Sequence, residues 1–285
     1  MSGTVPAAAA GDAEAVRRDC AALFDRLAPG YDDPALRFFS FAADRLVLRL
    51  SPVRGDKILD VACGTGAVTL AAAQAVGAEG RVVGIDLAEG MLARLAEKIA
   101  KFGIANVDLH RMDAAALEFR RDYFHHVVCS FGLFFLPDMA AALTGWVRVL
   151  RPGGQLMFTS FGAGLMRPMT DLFFARLERY GAAPPPERLM AAQRLAEPQN
   201  CADLLCDAGL GEVEVAREQL GYHLKGAAEW WSVIWNSGLR APLLRLDDTA
   251  RERFRAEHLA EVEPLAGESG LWLDVEVLFS SGRKP

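Results

Sequence analysis

The chain has 285 residues, 31 of them Lys or Arg and 37 Asp or Glu, for a formal charge of -6. A hydrophobic fraction of 52% against 24% charged supplies a packed core and excludes intrinsic disorder. The pI near 5.5 argues against binding to phosphate backbones, which takes a clustered basic footprint.

No apolar run is long enough to span a bilayer; the nearest, residues 127–137, is too short. Residues 1–12 read as an unstructured leader of small residues, and no basic stretch precedes an apolar one as in a secretory signal. Five cysteines are too few, and odd in number, for a disulfide framework. The expected location is the cytoplasm.

From 12 to 27 the apolar positions Val16, Leu23, Phe24 and Leu27 recur at helical spacing, and Pro29-Gly30 stops that helix. A second helix is expected over 34–50, with Leu36, Phe39, Ala43, Leu46, Val47 and Leu50 on one face. Strand and helix then alternate: strands at 57–62, 81–86, 107–112, 123–131 and 155–161, helices at 68–76, 89–102 and 139–150. The fifth strand is entered through a turn at 151–154. Strands separated by helices mean crossover units and a parallel sheet covered on both faces.

After Phe161 a helix is expected over 165–180, a rigid proline linker at 183–186, and a helix over 199–208 ended by Gly209. A strand at 213–220, a helical insertion over 226–263 and a final strand at 271–280 complete the chain. No internal repeat is present. The expected organisation is one domain over 13–285. It comprises cap helices at 13–54, a ligand-binding core at 55–161, and lid insertions at 162–198 and 226–263.

The strongest local signal is Ile58-Leu-Asp-Val-Ala-Cys-Gly-Thr-Gly66, which ends the first strand. Gly64 and Gly66 let the backbone approach a ligand, and the following helix aims amide donors at it. Asp86 ends the second strand about twenty residues later, where such folds hold ribose hydroxyls on a carboxylate. Asp113 follows the third strand at the same edge. A dinucleotide fingerprint would place glycine where Thr69 stands. Asp60, ahead of the glycines, repels pyrophosphate but suits an ammonium and a sulfonium, which favours S-adenosylmethionine over NAD.

Asp60-Val-Ala-Cys-Gly-Thr-Gly66, Asp86-Leu87, Met91-Leu92, Asp113-Ala114 and Arg151-Pro-Gly-Gly154 resemble the successive motifs of class I S-adenosylmethionine-dependent methyltransferases, over roughly residues 55–160. Phe24-Asp-Arg-Leu-Ala-Pro-Gly-Tyr31-Asp32 is similar to the N-terminal segment of the ubiquinone/menaquinone C-methyltransferase-like subgroup, which includes polyketide-tailoring enzymes.

The resemblance implies an α/β fold: a doubly wound, mostly parallel seven-stranded sheet of order 3-2-1-4-5-7-6, its last strand antiparallel. It also implies that Asp60, Gly64 and Gly66 hold the methionine end of the cofactor. Asp86 takes the ribose diol, Leu87 and Met91 the adenine face, and Asp113 and Ala114 the adenine edge. Ser130 offers its carbonyl to the ammonium, and Tyr31 closes over the methionine moiety.

Ligands lie beyond the carboxyl ends of parallel strands, so the cap and both insertions are expected there. Phe38, Phe39, Phe134, Trp231 and Trp235 are the expected acceptor contacts, giving a largely apolar lid over a small aromatic, quinol- or polyketide-like molecule. A nucleic-acid substrate is disfavoured, since Ser130-Phe-Gly-Leu-Phe134 holds no amide or acid to grip a flipped base.

No catalytic base is evident. His223, after the sixth strand, is the weak candidate. His125 and His126 are adjacent on a strand and expected on opposite faces, and His258 is expected in solvent. No metal is expected: Cys201 and Cys206 fit neither a zinc site nor a redox pair. Cys63 is expected to pack. The competing readings are a non-catalytic or regulatory S-adenosylmethionine-binding module and a nicotinamide-dependent oxidoreductase.

Overall fold

The computed structural model describes residues 7–184 and 193–285, with side chains from Glu14 onward. Its strands are β1 (Lys57–Val61), β2 (Arg81–Asp86), β3 (Val107–Arg111), β4 (Phe124–Ser130), β5 (Leu150–Phe161), β6 (Gly211–Gln219), β7 (Tyr222–Leu224), β8 (Leu271–Leu273) and β9 (Glu276–Arg283). The helices are α1 (Ala7–Leu27), α2 (Phe38–Leu50), α3 (Ala67–Val76), α4 (Glu89–Phe102), α5 (Met139–Val149), α6 (Met169–Arg179), α7 (Pro198–Asp207), α8 (Ala227–Trp235) and α9 (Asp248–Val262).

Seven strands form one sheet of order β3-β2-β1-β4-β5-β9-β6, with β9 antiparallel to both neighbours. That is the expected doubly wound order, β9 standing as the seventh strand. β1 lies inside the sheet between β2 and β4, and its Ile58, Leu59 and Val61 are fully buried because helices cover both faces. On one face Ile58 and Val128 meet α2, α3 and α8; on the other Leu59, Val127 and Leu156 meet α5 and α7. The register places Asp60 opposite Gly84 of β2 and Val128 of β4. The carboxyl ends of β1, β2 and β4 therefore open side by side where the strand order reverses, the usual ligand crevice of such sheets.

Several boundaries differ from the sequence reading. Helix α1 starts at Ala7, inside the expected leader, because the alanine run over 7–10 has the highest helix propensity; residues 1–6 lie outside the described residues. The helix expected over 34–50 opens with a separate 3-10 turn, Pro34–Leu36, capped by the Asp33 carboxylate accepting from the Ala35 amide. Residues 151–154 are the start of β5, because Gly153 and Gly154 exchange backbone hydrogen bonds with Lys284. The expected last strand is two: β8 pairs with β7 in a small second sheet, and β9 enters the main one. Of the proline linker, residues 185–186 lie outside the described residues, while the Ala183 carbonyl accepts from Arg245.

The two insertions pack on each other. Arg176 of α6 pairs with Glu257 and Glu261 of α9. Phe173, Phe254, Trp230 and His258 fill the space between α6, α8 and α9. His258, expected in solvent, is fully buried, since helix α9 turns its Phe254-His258-Val262 stripe inward.

The Trp230 indole N–H donates to His258 Nε2 at 2.9 Å, so the imidazole must stay neutral with its proton on Nδ1. Burial pushes its pKa down from 6.5 to about 4. A folded value below the ordinary one means stability is intact above pH ~6.5 and is lost as pH falls towards 4, here by up to ~3 kcal/mol. His125 and His126, also lowered by burial, act in the same sense. A melting series from pH 7.5 to 4.5 should show that loss, with a distinctly shallower slope for His258→Gln; an unchanged slope would give the acid lability to other groups.

Candidate functional site

The cleft begins with the turn that ends β1. Gly64 and Gly66 both have positive φ, at 54° and 92°. At Gly66 a Cβ would lie 2.2 Å from Leu95 Cδ1 of α4, so only glycine lets the loop descend onto that helix. Asp86 fixes the loop from β2: one oxygen accepts from the Gly64 amide and the other from the Ala88 amide, both at 2.9 Å. Burial nevertheless pushes its carboxyl above the usual range.

Asp60 lies one residue from the end of β1 and is only 1% exposed. Thr69, in the place a dinucleotide loop gives to glycine, donates to its Oδ2 at 2.5 Å. Burial and the like-charged Asp86 push Asp60 up from 3.8 to about 7 despite that bond. A buried carboxylate held so high, on the wall of a cleft, is a site prepared for a positive ligand.

The cleft has a volume of about 280 Å³, and Tyr31, Phe39, Asp60, Gly64 and Ser130 line it together. The Tyr31 ring stacks on Phe39 at 5.0 Å and closes to 3.9 Å from where a Gly64 Cβ would stand. Desolvation beside Asp86 and Asp32 raises its phenol well above the ordinary value. Ser130 ends β4 and shares a hydrogen bond with Thr159 at 3.0 Å.

Four lining residues were not singled out in the sequence: Asp33, Arg37, Ser40 and Thr65. Thr65 Oγ1 donates to Asp32 at 2.7 Å, and Lys98 Nζ donates to the same Asp32 oxygen and to the Thr65 carbonyl. This clasp ties the Tyr31 segment to the glycine loop. The only sequence signal for Arg37 was the Asp33-Pro34 helix start, which sets the residue at the cleft mouth.

Other expected contacts lie elsewhere. Asp113 accepts from the Ala115 amide and faces Arg17 of α1 at 3.3 Å, and the Ala114 carbonyl accepts from Trp146. Met91 is buried with Leu27 and Ala28, and Leu87 is half-buried beside it, so α1 and the turn after it roof this edge. Phe38 is buried against Phe131 and Phe161, and Phe134 packs on Phe135 and Phe161, because the β4 and β5 ends gather the aromatic rings into the core. His223 is exposed on β7 against Trp272, since Tyr222 and Leu224 take the inward positions of that strand. His125 and His126, expected on opposite faces, both reach Asp56 at the far end of the sheet, where the β4–β5 pairing shifts register and β5 carries the extra residues. Cys63 is buried, as expected.

Residues 20–216 match the ubiE/COQ5 methyltransferase family. The chain belongs to that family. It is an S-adenosylmethionine-dependent methyltransferase. Over 92% of its length it is 31% identical to nocamycin O-methyltransferase from Saccharothrix syringae, covering 97% of that protein. Over half its length it is 38% identical to aklanonic acid methyltransferase DauC from Streptomyces sp. (strain C5), spanning 65% of that protein. The fold is also that of the YcgJ protein from Bacillus subtilis, with a TM-score of 0.59 over 86% of this chain and 98% of that one, at 18% identity. Among the described residues no helix of the methyltransferase is long and apolar enough to cross a membrane.

Trp231 and Trp235, expected against the acceptor, stack on each other at 6.2 Å, with Arg255 over the first ring and Arg240 over the second. Neither lines the cleft. Helix α8 uses that face to dock on α9 rather than on the cofactor end. Trp231, 8% exposed, is a packing residue. Trp231→Ala should therefore cost about 3–5 kcal/mol of stability in denaturant melts, as deleting a buried aromatic does; a fully stable variant would return Trp231 to the acceptor.

Proposed function

We propose that the methyltransferase binds its cofactor with the methionine end between Asp60, Tyr31 and the glycine loop, and methylates a small, largely apolar aromatic acceptor of quinol or polyketide type. The observation that carries this reading is Asp60, a buried carboxylate whose pKa lies near 7 on the cleft wall. S-adenosylmethionine supplies an electrophilic methyl group on a sulfonium, and its cations meet the charge that Asp60 holds at such cost in their absence.

The other roles follow the strand ends. Asp86 keeps free lone pairs for a ribose diol while its amide bonds hold the loop. The backbone at Gly64 and Gly66 lines the approach, and the Ser130 carbonyl accepts from the ammonium. Leu87, Met91, Asp113 and Ala114 serve the adenine end, where Arg17 must give way at Asp113. Tyr31 and Phe39 exclude water and align the acceptor, which in a displacement reaction supplies most of the acceleration. O- or C-methylation fits best, on the names of the nocamycin and aklanonic acid relatives. Neither a nucleic acid nor another protein is needed as partner. The cytoplasm is the proposed compartment, on five cysteines of which none forms a disulfide among the described residues.

Two expectations test the cofactor site, and methyl transfer from labelled cofactor to hydroxyanthraquinones and quinols tests the acceptor class. A cation bound beside Asp60 lowers its pKa from about 7 and expels a proton. Affinity for S-adenosylmethionine should therefore rise between pH 5.5 and 7, by up to about tenfold per unit. Calorimetry in buffers of different ionisation enthalpy should show proton release in the native protein and none in Asp60→Asn; equal release in both would move the cation elsewhere.

Asp86→Ala should weaken the cofactor by roughly 2 to 4 kcal/mol, since two charge-assisted hydrogen bonds are lost together. An unaltered dissociation constant, with circular dichroism showing a folded variant, would mean the ribose lies elsewhere.

A further inference from the structure

We propose that, of the quinol and polyketide types, the acceptor is a polyketide-type molecule that arrives already ionised, as a carboxylic or vinylogous carboxylic acid, that Arg37 anchors it, and that no side chain removes a proton during transfer. The proposal rests on the placement of the cofactor and acceptor in the Tyr31–Asp60 cleft.

All five histidines of the chain lie away from that cleft. His110 stands on β3 against Phe119, and His125 and His126 lie on Asp56 at the opposite end of the sheet. His223 is exposed against Trp272, and His258 is sealed beneath Trp230. The remaining titratable groups of the lining are spent or unsuited. The Cys63 thiol and the Tyr31 phenol are both pushed up by burial and neighbouring carboxylates, which makes them weak acids and not bases at neutral pH. Asp32 is held by Lys98 and Thr65, and Asp33 by the Ala35 amide and Asn236. Asp60 comes closest to a base, but as counter-charge to the cofactor it loses its affinity for a proton.

Arg37 is the one cation among the described lining residues. Its guanidinium lies 3.6 Å over the Tyr222 ring, with one nitrogen donating to the Pro34 carbonyl and another to the His223 carbonyl. Stacking and two backbone bonds set its plane, and three of its five N–H groups remain for an oxyanion.

A phenol of pKa ~10 is ionised only about one part in a thousand at pH 7, and this cleft offers nothing to raise that fraction by proton removal. A carboxylate or an enolised 1,3-dicarbonyl needs no such help. Its oxygen lone pair forms the bond to the methyl carbon while the carbon–sulfur pair returns to sulfur, and no proton moves. The product ester or enol ether is neutral, so it loses its ion pair with Arg37 and leaves.

The test uses the full-length protein saturated with S-adenosylhomocysteine and a matched pair of probes, anthraquinone-2-carboxylic acid and anthraquinone-2-carboxamide, by calorimetry at pH 7.5. The acid should bind at least tenfold tighter than the amide. Arg37→Gln should abolish that preference with amide and S-adenosylhomocysteine affinities kept within twofold, and Arg37→Lys should restore part of it. With labelled S-adenosylmethionine, kcat/KM for the acid should be flat from pH 7.5 to 8.5. No binding of the acid, no preference over the amide, a preference surviving in Arg37→Gln, or a rising limb in that profile overturns the proposal alone. Failure to bind S-adenosylhomocysteine instead sinks the cofactor placement, and the proposal with it.

Discussion

A carboxylate buried in the middle of a parallel sheet is the constraint around which this methyltransferase is arranged. Asp60 sits in β1, flanked by Gly84 and Val128 and almost completely buried. Helix α3 gives it one short side-chain hydrogen bond, from Thr69, and β2 sets a like charge nearby at Asp86. Neither neutralises it, so the charge is left for a ligand. That explains why the sixth place of the loop is Thr rather than Gly. A hydroxyl there orients the carboxylate, while a glycine would serve only close packing against a pyrophosphate. Asp86 does different work with the same chemistry: backbone amides of Gly64 and Ala88 satisfy it structurally and fix the loop.

Around that charge the cover is attached in two physically different ways. Helices α6, α8 and α9 are joined by buried aromatic rings and by Arg176 between two glutamates, so they form a rigid cap. The N-terminal segment is joined mainly by polar straps at its margins: Arg17 to Asp113, Asp25 to the Gly90 amide, Asp32 to Lys98 and Thr65, and Asp33 to Asn236. Partly exposed contacts of that kind contribute little each and are readily exchanged for water. Several of them end on the very loops that carry Gly64, Asp86 and Asp113. The apolar contribution beneath them is a small cluster of Leu27, Ala28, Ala88 and Met91. Opening the adenine edge thus costs far less than separating the cap.

The sequence was most legible where backbone geometry dictates residue type. The glycines at 64 and 66, the acids at strand ends and the apolar strands are set by backbone geometry, and the sheet order came from the family resemblance that those motifs carry. It was least legible where one residue type serves two ends. Tryptophans 231 and 235 at helical spacing describe an apolar face without saying what meets it, and the partner was α9, with arginines over both rings. His258 reads as a polar residue on a charged helix; only the fold shows that Trp230 lies opposite it. The pair at 125–126 carried no sign of Asp56, which lies about 70 positions earlier and which both rings reach only in the fold. Arg37, Thr65 and Lys98 carried little local signal, since their roles are set by contacts to residues 33 to 186 positions away.

The division between cofactor and acceptor ends follows from charge placement. On the glycine-loop side the cleft presents Asp60 and, behind it, Asp86, both pushed up by burial and both suited to a ligand carrying positive charge and hydroxyls. On the α2 side it presents Arg37 with Tyr31 and Phe39, an arrangement suited to a flat ring bearing a negative edge. A ligand reversed end for end would bring like charges together at both walls, a penalty of several kcal/mol in a desolvated cleft. In the proposed binding mode the sulfonium would thus face the acceptor by electrostatics before any shape is matched, and the transfer step would inherit that alignment. Selectivity among acceptors would in that mode be left to Arg37 and the stacked rings, and of these Arg37 and Phe39 lie outside the motifs that carry the family resemblance.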